Sequence, residues 1–152
     1  MPWVITAVVS WIIFYFLVDV NLLRRTVWGG FFTLALGSLV DWGGQYLNLY
    51  KFHDVIISWA GCSVFYKFGP VFVIGILFTQ YLPKKKYLQV INIVVISLLY
   101  LTLELLILQT TAAEYINWHY LASFTVDIGA FIALTWFAET FCLLPYNKGH
   151  LF

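Results

Sequence analysis

Asp41, Glu104 and Asp127 each interrupt a long apolar stretch of the chain. A carboxylate so placed is suited to hold a cation, to pass a proton, or to serve as the acid, base or metal ligand of a catalytic centre. Its cost singles it out, because a charged side chain at mid-bilayer is unfavourable by at least about 2.5 to 3.5 kcal/mol on insertion scales. Polar neighbours recur at helical spacing around all three. Ser38, Asp41, Gln45 and Asn48 form one stripe, with Gly30, Gly37 and Gly44 beside it at seven-residue intervals. Small residues let membrane helices approach closely, so this face points into a bundle. Ser97, Tyr100 and Glu104 share a face of a second segment, and Tyr120, Ser123 and Asp127 share a face of a third. Lys67 and Pro70 lie on a fourth, where the proline has no N–H for the Tyr66 carbonyl. His119 stands just before the last apolar segment.

The candidate proton, cation or ligand site is therefore Asp41, Gln45, Lys67, Tyr100, Glu104, Asp127 and, at its mouth, His119. One lysine does not neutralise three carboxylates, so a shared proton or a bound cation completes the balance. A purely structural reading competes with this. In it Asp41 pairs with Lys67, Glu104 bonds a tyrosine, Asp127 reaches the outer headgroups, and His119 is an interfacial residue beside Trp118. Taken alone, Lys67 reads as a snorkelling residue. No His-Glu-x-x-His, Gly-x-Ser-x-Gly, Walker or Gly-x-Gly-x-x-Gly motif is present, so no recognised catalytic motif names a metal or cofactor, and both stay unknown. Gly29-Gly30 and Gly43-Gly44 read as helix-packing positions.

Five apolar segments must position these residues: 2–18, 27–49, 63–82, 87–109 and 121–144. Each is close to the roughly 20 residues a membrane span needs. The chain is 62% hydrophobic and 10% charged, against about 25% charged for a soluble domain. The fold class expected is an all-α polytopic membrane bundle of about five transmembrane helices, one domain over residues 1–152. The short alternating segments of a β-barrel are absent. A net charge of +1 gives no basis for binding nucleic acid. Residues 50–62 stay open among an interfacial segment, a re-entrant one and the start of helix 3.

Charge sets the orientation. Arg24, Arg25, Lys84, Lys85, Lys86 and Lys148 fall on one side and Lys51 and Lys67 on the other. The first side is cytoplasmic by the positive-inside rule, with Met1 outside and Phe152 inside. At 1.5 Å per residue the three carboxylates then share the outer third of the bilayer. Trp3, Trp59 and Trp118 suit the outer aromatic belt, and Trp28 the inner one. Residues 1–18 lack a basic n-region and read as a retained helix. Cys62 and Cys142 fall near opposite ends of their helices, so no intrachain disulfide is expected, and Cys62 is expected to be the more reactive toward outside reagents.

Asp41, Tyr50-Lys51, Phe68-Gly69-Pro70, the stretch Tyr81 to Lys86, Leu103-Glu104 and Trp118-His119 together resemble a family of small multi-pass membrane proteins of endospore-forming bacteria. The resemblance runs from Val18 to Phe137. It implies a helical architecture in a bacterial cytoplasmic membrane and names no substrate.

Three functions compete. The first is a transport or binding protein whose outward-facing acidic cavity takes a cation, proton or small polar ligand. Five helices are few for alternating access, so that role calls for a homo-oligomer or a partner membrane subunit besides the lipid bilayer. The second is an intramembrane enzyme acting on a lipid or lipid-linked substrate. The third is an accessory subunit of a larger membrane complex.

Overall fold

The computed structural model describes residues 2–144. Lys148 and the two termini used in the charge argument lie outside the described residues. Five helices follow one another: α1 (Pro2–Leu17), α2 (Val20–Tyr46), α3 (Val64–Gln80), α4 (Lys86–Gln109) and α5 (Tyr120–Thr140). Four short strands occupy the connections at one end: β1 (Tyr50–Phe52), β2 (Ser58–Trp59), β3 (Cys62–Ser63) and β4 (Ala113–Tyr115). The chain is thus mostly helical, with two small sheets that the expectation of an all-α bundle did not include.

The helices alternate up and down. At one end the Trp3 indole donates to the His53 carbonyl at 2.8 Å, and β1 pairs with β4. At the other, Gln80 donates through Nε2 to the Leu17 carbonyl at 2.9 Å, and Lys86 Nζ lies 2.6 Å from Glu139 Oε1. The first end carries the strands; the second carries Arg24, Arg25, Lys84, Lys85 and Lys86.

Helix α2 begins at Val20 rather than at residue 27, because the Asp19 carboxylate caps it by accepting from the Asn21 N–H at 2.9 Å. Arg24 and Arg25 therefore sit in its first turns and not in a loop. Gly29 and Gly75 face each other where α2 crosses α3; a Cβ on Gly75 would lie 2.8 Å from the Gly29 carbonyl oxygen. Gly43 has nothing within 4 Å of such a Cβ, so the packing role expected of it is not there.

Residues 50–62 are not the start of α3, which begins at Val64; they hold β1, β2 and the first residue of β3. Trp59 and Cys62 pair across Ala60-Gly61, whose positive φ values of 47° and 82° suit a tight hairpin turn. In β1 and β4, Tyr50 and Ala113 are buried while Lys51 and Glu114 pair outward. This alternation makes the β1–β4 ladder a lid with an inner aromatic face.

Within α3, residues Lys67–Val71 form a π-turn in which Gly69 leaves the helical region (φ −89°, ψ −107°). Pro70 removes a hydrogen-bond donor there, and Ala7 of α1 packs where a Gly69 side chain would stand. Lys67 is the first residue of this turn and is fully buried. Trp3, 1% exposed, belongs to a core cluster with Cys62, Tyr66 and Ile107, so it is not an interfacial belt residue. A second cluster around Phe78, Ile93, Phe131 and Leu134 fills the bundle nearer the basic end.

Candidate functional site

Counting turns places the three carboxylates at one level. Asp41 lies five residues from the end of α2, Glu104 five from the end of α4, and Asp127 seven from the start of α5. Each is about 8 to 10 Å below the strand-bearing end at 1.5 Å per residue. All three line one cavity of about 120 Å³, together with Tyr50, Tyr66, Tyr100, Tyr115, Trp3, Trp118 and Ser123. That volume accommodates about four waters at roughly 30 Å³ each.

The carboxylates differ in their partners. Asp41 is ion-paired with Lys67 and accepts from the Tyr50 hydroxyl at 3.2 Å. Lys67 is fully buried, so the snorkelling expected of it does not occur. The π-turn spends backbone regularity to bring its ammonium to Asp41, and the pair is neutral as a unit. Glu104 accepts at Oε1 from Tyr115 at 2.7 Å and from Ser123 at 2.9 Å. Ser123 accepts in turn from the Trp118 indole at 2.7 Å. Asp127 has a buried oxygen, Oδ2, with no hydrogen-bond partner. Tyr66 donates to the Tyr100 hydroxyl at 2.8 Å across the same cavity.

The lid tyrosines stay neutral donors. Burial, and after it the charge of Asp41, pushes the Tyr50 hydroxyl well above its ordinary range. Burial does the same for Tyr115, and its bond to Glu104 adds to the effect. Gly44 makes room for Tyr50, since a Cβ there would collide with the phenol ring.

The structure brings Asp41, Tyr100, Glu104 and Asp127 together on the cavity wall, with Lys67 behind Asp41. Two expected site residues stand elsewhere. Gln45 donates to the Gly61 carbonyl and ties α2 to the β2–β3 hairpin. His119 is exposed and caps α5, accepting at Nδ1 from the Ala122 N–H at 3.1 Å, and it does not line the cavity. Asn48 and Tyr120, grouped with the polar stripes by spacing, are exposed. Trp118 walls the cavity instead of joining a belt.

Sequence spacing missed Tyr50, Tyr66 and Tyr115. The in-out alternation of Tyr50-Lys51-Phe52 and Ala113-Glu114-Tyr115 was the available signal for two of them. Among the described residues, no group of three histidine, cysteine, aspartate or glutamate side chains is placed to hold a metal ion. The metal-ligand role considered for the acids thus has no support from their arrangement. No family model, curated protein or solved structure matches this chain, so the functional reading rests on its own residues.

Proposed function

We propose that this chain is a multi-pass protein of the cell membrane whose cavity holds a proton that exchanges with a small monovalent cation, in a transport or binding role. The observation that carries the reading is the charge count: three carboxylates line one small cavity, and a single ammonium, that of Lys67 behind Asp41, is paired with them. Asp41 and Lys67 cancel. Glu104 and Asp127 remain; two carboxylates so close in a low-dielectric site do not both stay ionised and uncompensated, so a proton on one of them, or a cation in its place, removes one of the two charges.

Membrane residence is supported by α4 and α5, which are long and apolar enough to cross a bilayer yet bury little of their surface in the bundle. Val90, Leu98, Leu99, Ile132 and Trp136 face outward from them, and Ile5, Ile12 and Phe16 do so from α1. Such a continuous apolar exterior suits lipid. The concentration of arginine and lysine at the strand-free end favours a cytoplasmic position for it, with the lid outside. The likeness to proteins of endospore-forming bacteria favours a bacterial cytoplasmic membrane. A cavity of this volume is well below the roughly 300 to 1,000 Å³ of small-molecule pockets, which argues against a lipid-cleaving enzyme.

The test is proton release. Protein in nanodiscs, weakly buffered, receives sodium, potassium or lithium chloride while pH is followed. The wild type should release about one proton per chain with at least one of these salts, and Asp127→Asn should release none. Equal traces for wild type and variant with every salt would overturn the proposal.

A further inference from the structure

The inner face of α4 continues past the cavity. Lys86, Gln89, Ile93, Ser97, Tyr100 and Glu104 follow at three- and four-residue intervals, so they line one face of the helix. Ile93 is the single apolar member. Facing it on α5 are Asp127, Phe131, Leu134 and Ala138, and then Glu139 at the basic end. Phe131 and Leu134 form the cavity floor, and they belong with Ile93 and Phe78 to one buried cluster. Thr135 does not wet this layer, because its hydroxyl donates back to the Phe131 carbonyl at 2.8 Å.

Polar groups resume directly on both sides of the layer. Above it Ser97 is fully buried with its hydroxyl unpartnered, one turn below Tyr100. Below it Gln89, 3% exposed, donates to Glu139 Oε1 and to the Pro83 carbonyl, each at 2.8 Å. Lys86 holds the other Glu139 oxygen at 2.8 Å, and that carboxylate is one-third exposed at the basic end. From Ser97 to Gln89 is eight residues, about 12 Å along the axis, which one apolar layer and a few ordered waters span.

We infer that the α4–α5 seam is a proton path with a second, inner proton site at Glu139, closed between the two sites by the Ile93–Phe131–Leu134 layer. The inference rests on the proposed proton-holding role of the outer cavity. A proton taken up at Asp127 passes the layer only when water bridges Ser97 to the Glu139 carboxylate beside Gln89; it bonds to that carboxylate and then leaves it for solvent. No bond other than those to the moving proton changes. Gln89, locked between Glu139 and Pro83, is the positioning residue of the inner site.

Proteoliposomes carrying an internal pH dye and an imposed proton gradient test it. Ile93→Ser and, as an independent opening of the same layer, Leu134→Ser should each raise proton leak about tenfold over wild type. Adding Asp127→Asn or Glu139→Gln to either should return the leak to the wild-type level. Wild-type leak in both folded serine variants would overturn the gated path while leaving cation-driven proton release intact as a separate readout. A leak that Asp127→Asn and Glu139→Gln fail to suppress would also overturn it, since protons would then be crossing elsewhere. Loss of release in the nanodisc assay, by contrast, removes the outer site on which the path depends.

Discussion

Tyr50 and Tyr115 are cross-strand partners in the β1–β4 ladder, and each donates to a different buried carboxylate, Tyr50 to Asp41 and Tyr115 to Glu104. A ladder of three residue pairs thereby ties the tops of α2 and α4 and roofs the cavity. Removing one hydroxyl should cost about 1 kcal/mol. In thermal unfolding in detergent, Tyr115→Phe and Glu104→Gln should couple by about 0.5 kcal/mol or more, whereas Tyr115→Phe and Asp41→Asn should add. Coupling of the same size in both cycles would mean that the lid acts as one unit and not through separate bonds.

The Lys67–Asp41 pair makes the sharpest stability prediction. Lys67→Met leaves the Asp41 carboxylate without its counter-charge and should destabilise by about 3 to 5 kcal/mol. Adding Asp41→Leu should recover most of that loss, because the partner then needs no compensation. A mild Lys67→Met phenotype would place the ammonium outside the core.

How far the sequence led is visible in these residues. Asp41, Glu104 and Asp127 were legible because a carboxylate in an apolar run has few harmless explanations, and residue counting alone put them at one depth. Lys67 is legible as a partner for Asp41, but its full burial is not: it stands in a π-turn whose Gly69 leaves helical geometry against Ala7, a contact between distant segments. The lid left only a faint signal, the in-out alternation of two three-residue segments. Residues 50–52 and 113–115 are too short to declare strands by pattern, and only their mutual pairing makes them so. His119 has a chemistry that invites a functional reading, but its place before a helix start gave it a capping role.

The glycines divide by what they face. Gly75→Ala should destabilise by about 1 to 3 kcal/mol through overpacking, because its new methyl meets backbone that does not move aside. Gly43→Ala, with open space around it, should be neutral or slightly stabilising in the same helix-propensity sense. Equal melting temperatures for the two variants would contradict the α2–α3 crossing.

Thiol labelling reads burial and orientation together. Cys62 is buried, and burial is the main cause pushing its thiol well above the ordinary range, whereas Cys142 is exposed. Burial removes the outside reactivity expected of Cys62 from its position along the chain. A membrane-impermeant maleimide should label neither cysteine in intact cells and should label Cys142 in inverted vesicles; Cys62 should react only after unfolding. Labelling of Cys142 in intact cells would put the basic end outside.

In the proposed function Glu104 and Asp127 hold one exchangeable proton between them, beside a neutral Asp41–Lys67 pair. Infrared difference spectroscopy of reconstituted protein tests it most directly, by following the carbonyl stretch of protonated carboxyl groups as a monovalent cation is added. The wild type should show a protonated-carboxyl band that diminishes on cation addition and is lost or shifted in Asp127→Asn and in Glu104→Gln. A spectrum with no such band, or a band that neither replacement alters, would contradict it.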